Sequence, residues 1–130
     1  MPEAGAARRI LIVDDNPTNL RLAAEVLELA GYAPLKAVDA EQALAMLQSD
    51  MPDLILMDIA LPGMDGLSLT RKLKLDARLR HVPVIALTAF AMKGDDRKAL
   101  EAGCAAYITK PIDTRRLPQQ VAEVLARAKP

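Results

Sequence analysis

Three short apolar runs punctuate the chain, at residues 10–13, 54–57 and 84–87. None alternates with polar residues, which is the pattern of strands covered on both faces of a parallel sheet. Two weaker candidates, residues 33–37 and 106–109, suit the edges of such a sheet. The stretches between them carry helical spacing. Residues 18–30 repeat Leu20, Ala24 and Leu27 and close on Gly31, a residue type favoured just past a helix end. Residues 39–49 hold Ala43, Leu44 and Leu47, and residues 67–75 hold Leu69 and Leu73. Residues 95–102 start on two acids, which suit a helix N-terminus, and end at Gly103. In the last helix Leu117, Val121, Val124 or Leu125, and Ala128 share a face. Pro118 belongs in its first turn, so that helix is predicted to start near Thr114 or later.

The order is strand–helix repeated five times, with no internal repeat or low-complexity tract. Strict alternation with short connections predicts right-handed crossovers and an α/β fold, a parallel sheet with helices on both faces. The length of 130 residues fits one domain, and 52% hydrophobic with 26% charged residues fits an ordinary folded protein. Seventeen bases offset seventeen acids, so no overall field draws the chain to nucleic acid or an anionic membrane. Tyr32, Phe90 and Tyr107 are the only aromatics, which disfavours base-stacking platforms and large aromatic cofactor sites. One cysteine, Cys104, and one histidine, His81, exclude an internal disulfide and any zinc site built on several such ligands. His81 lies in a polar loop and is expected to be exposed; Cys104 is expected to be a small buried filler. No apolar run approaches the roughly 20 residues that span a bilayer. Residues 1–7 are read as a flexible tail on a cytoplasmic protein, and residues 8–128 as the domain.

In folds of this kind chemistry sits beyond the carboxyl ends of the strands. Those ends carry Asp14-Asp15, Asp58, Thr88-Ala89 and Thr109-Lys110-Pro111. Three carboxylates from neighbouring strands cost electrostatic energy when brought together, and a bound cation or the Lys110 ammonium offsets it. Oxygen ligands without His or Cys point to Mg²⁺ or Mn²⁺. A carboxylate beside a metal, a lysine and a hydroxyl is the equipment for accepting a phosphoryl group. Each piece also has a plainer reading: Asp14-Asp15 before Asn16-Pro17 as turn and N-cap chemistry, Lys110 as a solvated loop residue.

Taken together, the segments Ile10-Leu-Ile-Val-Asp-Asp15, Leu54-Ile-Leu-Met-Asp58, Leu61-Pro-Gly-Met-Asp-Gly66, Ile85-Ala-Leu-Thr-Ala89 and Tyr107-Ile-Thr-Lys-Pro111 resemble the receiver domain of bacterial two-component response regulators. The likeness is to the single-domain type similar to chemotaxis regulators. It implies a flavodoxin-like, doubly wound five-stranded sheet in the order 2-1-3-4-5 with five helices. It also implies Asp58 as phosphoacceptor, and Asp14, Asp15, Asp58 and the backbone carbonyl of Ala60 as Mg²⁺ ligands. Lys110 corresponds to the cation that bonds a phosphoryl oxygen, Thr88 to the switch hydroxyl and Tyr107 to the switch aromatic. The Lys110–Pro111 bond is expected to be cis, as in the family.

The implied function is a phosphorylation-controlled switch rather than an enzyme. Its partners would be a histidine kinase or histidine phosphotransfer protein and a downstream protein, met through the face of the fourth helix, fifth strand and fifth helix. Direct nucleic-acid or membrane binding is not expected, and the chain is read as a monomer or weak dimer. A receiver excised from a hybrid kinase or multidomain regulator is the alternative. An aspartyl phosphatase would need a second Asp where Ala60 stands, and a flavin protein would need a phosphate loop in place of Asp-Asp-Asn-Pro. A pseudo-receiver would lack an acid or the lysine. Ala60 and Phe90 cannot orient a water toward Asp58, so slow autodephosphorylation is expected.

Overall fold

The computed structural model describes residues 7–88 and 95–128. Strands β1 (Arg9–Val13), β2 (Ala33–Ala37), β3 (Leu54–Asp58), β4 (Val84–Thr88) and β5 (Ala106–Thr109) alternate with helices α1 (Pro17–Leu29), α2 (Ala40–Leu47), α3 (Gly66–Lys74), α4 (Asp95–Ala102) and α5 (Leu117–Ala128). All strand pairs are parallel, in the order β2-β1-β3-β4-β5. This is the predicted flavodoxin-like α/β architecture, and the two weakly apolar strands are its edges.

The central runs lack alternation because both faces of the sheet are buried, and the alternation appears in which layer each residue joins. Leu11, Val13, Ile55, Met57, Val84 and Ala86 pack with α2, α3 and α4 residues in one core. Ile10, Ile12, Leu54, Leu56, Ile85 and Leu87 pack with α1 and α5 residues in the other. Within an edge strand the exposure is uneven: Ile108 of β5 is buried while Tyr107 and Thr109 face outward. Burying a large aliphatic side chain contributes roughly 1.5–3 kcal/mol, and the layers hold the strand ends in fixed register.

Local chemistry sets the helix starts. The Asn16 side chain accepts from the Thr18 and Asn19 amides with Pro17 next in line, so α1 begins one residue before the periodicity suggests. Asp39 and Asp65 cap α2 and α3 through the Gln42 and Ser68 amides. Helix α5 begins at Leu117, with Thr114 in a preceding turn and Pro118 in the first helical turn. The expected tail at residues 1–7 lies outside the described residues up to Ala6, as do Ala89 and Phe90. Among the described residues no helix is long and apolar enough to cross a membrane.

Candidate functional site

Strand β1 lies between β2 and β3, so the chain leaves it toward one neighbour and later returns beside it on the other. That reversal opens a crevice beyond the carboxyl ends of β1 and β3. Asp58 is the last residue of β3, and Asp14 and Asp15 follow β1 directly. The three carboxylates each offer an oxygen within 4.8 Å of the others. Asp14 and Asp58 are buried, whereas Asp15 is exposed at the mouth.

Lys110 enters from the end of β5 and bridges the two buried acids. Its Nζ lies 3.0 Å from Asp58 Oδ2 and 3.1 Å from Asp14 Oδ2, with the side chain 16% exposed. The Lys110 amide donates to the Thr88 carbonyl at 2.7 Å, and the Lys110–Pro111 peptide is cis. The second oxygens of the acids are held by backbone: the Asn16 amide donates to Asp14 Oδ1 and the Ala60 amide to Asp58 Oδ1, both at 2.9 Å. Asp14 thus makes a turn contact with one oxygen and meets Lys110 with the other. The helix cap is Asn16 and not either aspartate.

Burial pushes the Asp14 carboxyl above its ordinary range, and the neighbouring Asp58 charge adds to that. The Asn16 amide and Lys110 pull the other way without overcoming it. For Lys110 burial disfavours the ammonium, but hydrogen bonds to Asp58 and Asp14 outweigh it and raise its affinity for the proton. Three carboxylates facing one ammonium leave an excess of negative charge, and every donor is a hard oxygen. That donor set fits a divalent cation of the Mg²⁺ type and not a nitrogen- or sulfur-seeking metal.

Thr88 ends β4 and is buried, one residue beyond Leu87, the register partner of Asp58. Tyr107 sits on the edge strand opposite Ala86, 41% exposed. It borders a surface groove of about 480 Å³ with Pro111, Asp113, Arg116 and Gln120. Ala60 is exposed on the loop after Asp58; Phe90, its expected companion at the water approach, is outside the described residues. His81 is exposed and Cys104 buried, as expected.

Gly66 was not singled out from the sequence beyond its place in a loop segment. A Cβ there would lie 2.2 Å from the Asp58 carbonyl oxygen and 2.8 Å from the Ile59 Cα. The Gly66 amide donates to the Ile59 carbonyl at 3.2 Å, and its own carbonyl accepts from Thr70 Oγ1 at 2.8 Å. The start of α3 is thus pressed onto the backbone that carries Asp58. Gly66 just before the helix predicted at 67–75 is the available signal, but the distance that makes it matter is set by the folded backbone.

The response regulator receiver domain family matches residues 10–122. The chain is 44% identical over 121 residues to DivK, the polar-differentiation response regulator of Brucella anthropi, which covers 93% of this chain and 98% of that protein. The receiver domain of a signal transduction histidine kinase from Syntrophus aciditrophicus superposes with a TM-score of 0.86 at 37% identity, covering 95% of this chain and 93% of that one. The receiver domain of the sensor histidine kinase PA1611 from Pseudomonas aeruginosa, with a magnesium ion coordinated in its active-site cleft, gives 0.84 at 36% identity, covering 93% and 99%.

Proposed function

The chain belongs to the response regulator receiver domain family, and from that premise we propose that it is a two-component switch that accepts a phosphoryl group on Asp58. The observation that carries the proposal is the Lys110 bridge to Asp58 and Asp14 inside a three-carboxylate cluster. In this reading Asp14, Asp15, Asp58 and the Ala60 carbonyl hold Mg²⁺ or Mn²⁺, as the magnesium-bound relative supports. When bound, the ion supplies positive charge against the phosphoryl oxygens.

The protein's own groups do the positioning. The Ala60 amide fixes one Asp58 oxygen and Lys110 holds the other, which orients the carboxylate for attack in line with the leaving group. An Asp58 oxygen forms the new bond to phosphorus, and the bond to the donor's imidazole nitrogen breaks, its electron pair leaving with the donor. The Lys110 ammonium, already within hydrogen-bond reach of Asp58, transfers part of its bonding to a phosphoryl oxygen. Thr88 supplies a hydroxyl at the neighbouring strand end, and Tyr107 turns inward from its half-exposed position. About two new negative charges then shift the population of the α4–β5–α5 face that a downstream protein reads.

The donor is a histidine kinase or histidine phosphotransfer protein, and the compartment is the cytoplasm. The match to DivK over nearly its whole length favours a single-domain regulator. The likeness to receivers of two sensor kinases supports a second reading, a receiver within a hybrid kinase. Immunoblotting the native polypeptide for its size separates them. The test of function is labelling with acetyl phosphate or a phosphorylated kinase. Wild type should gain label in Mg²⁺ and lose that ability with a chelator, while Asp58→Asn should gain none. Labelling of Asp58→Asn at the wild-type rate overturns the proposal.

A further inference from the structure

The chain has no net charge, yet its charges are segregated. Asp14, Asp15 and Asp58 occupy the carboxyl edge of the sheet. Residues 71–81, running from the last turn of α3 toward the amino end of β4, carry six basic or histidine side chains against one acid, Asp76. Two of these cations are used in folding. Lys74 Nζ donates to the Arg80 and Val82 carbonyls at 3.1 and 2.7 Å, and Arg78 donates to the Leu47 carbonyl. Arg71, Lys72 and Arg80 are exposed and, among the described residues, form no ion pair.

The position of Leu75 is a second, separate observation. Gly66, Leu69, Thr70 and Leu73 face the core, so at ~3.6 residues per turn Arg71, Lys72 and Leu75 share the outward face. The Lys74 bonds hold residues 80–82 against the same turn, bringing Arg80 and His81 alongside. Cations in the last turn suit the helix dipole, which explains their sign. It does not explain a leucine left 88% exposed in their midst.

We propose that the outer face of α3 and the loop at 76–82 dock an acidic amphipathic segment of a partner protein. Its carboxylates face Arg71, Lys72 and Arg80, and one apolar side chain seats on Leu75. A membrane is the poorer fit, because the surface has no aromatic side chain to anchor at an interface and a single aliphatic one to insert. Nucleic acid is poorer still, with no stacking platform. The surface lies at the opposite end of α3 from Gly66 and the Asp58 backbone. The carboxyl edge therefore stays open, and the docked segment and a phosphodonor bind together.

The test is an NMR titration of the isotope-labelled protein with a helix-forming peptide of about 15 residues carrying glutamates four apart beside a leucine stripe. Shifts should be confined to the outward positions of α3 and to residues 76–82, and should weaken as salt rises. Combined Arg71→Glu, Lys72→Glu and Arg80→Glu should weaken binding about tenfold or more. Leu75→Ala, at a position folding does not use, should weaken it about fivefold. Both variants should take label from acetyl phosphate at the wild-type rate. Four results overturn the proposal: no binding by wild type, equal binding by the charge-reversed protein, shifts centred elsewhere, or loss of self-association as the only effect of charge reversal. Tighter binding to phosphatidylserine vesicles or duplex DNA than to the peptide also overturns it, in favour of those surfaces.

Discussion

Replacing Gly66 by alanine should damage the site without touching any of its side chains. The added Cβ would sit 2.2 Å from the Asp58 carbonyl oxygen, 2.8 Å from Ile59 Cα and 2.9 Å from the Asp58 carbonyl carbon. Real Cβ atoms essentially never approach within 3.0 Å of such neighbours. The start of α3 and the end of β3 must therefore separate by about 0.8 Å, the difference between 2.2 and 3.0. Overpacking of this kind costs about 1–3 kcal/mol. Gly66 is not among the positive-φ residues, so alanine recovers only about 0.4–1 kcal/mol through the unfolded chain, and strain wins. A displacement near 1 Å at reacting groups can cost about a hundredfold in rate, so labelling by acetyl phosphate should slow by one to two orders of magnitude. Urea denaturation and a labelling time course measure both effects. Gly63→Ala is the control: it strains a φ of +75° but meets nothing within 4 Å, so it should cost stability and leave labelling intact. Wild-type labelling and an unchanged urea midpoint in Gly66→Ala would refute the reasoning.

Three other outcomes follow from the same geometry. Asp14→Asn should raise the urea midpoint in chelator at neutral pH. The folded carboxyl is shifted upward, chiefly by burial, so its stabilising effect is complete below the unfolded value of 3.8 and is lost as pH rises through the higher folded value. The advantage of asparagine should shrink as pH falls through that window, and an advantage that grows instead would contradict it. Lys110→Ala should keep or increase Mg²⁺ affinity in a metal titration while losing the structural response to phosphorylation, because the ammonium competes with the cation for Asp58 and Asp14. A destroyed metal site would contradict this. Cys104 is 5% exposed, and burial raises its thiol despite Thr70 and Lys74 nearby, so a thiol reagent should label it at pH 7 only after denaturation.

The sheet was legible because both its faces are covered: three uninterrupted apolar runs can be satisfied in few other ways. Their carboxyl ends carry Asp14, Asp15, Asp58 and Thr88, and the weaker edge strand at 106–109 adds Lys110. What the sequence left open depends on backbone path at the scale of one residue or one ångström. Helix α1 starts at Pro17 because Asn16, and not an aspartate, caps it. Helix α5 starts at Leu117 because Asp113 closes a turn by accepting from the Arg115 amide. The division of Asp14 between the Asn16 amide and Lys110 follows from which way each oxygen points. Gly66 acquires its role from a close approach across eight residues of chain. The basic surface on α3 was hidden by a net charge of zero, which reports the sum of charges and not their separation.

Trapping the adduct shows whether Asp58 alone receives the phosphoryl group, as proposed. Phosphorylate the protein with acetyl phosphate and Mg²⁺, reduce the acyl phosphate with borohydride, digest, and map by mass spectrometry. Homoserine is expected at position 58, with Asp14 and Asp15 recovered unmodified. Homoserine at position 14 or 15, or a phosphorylated protein with no reduction product at position 58, would contradict it.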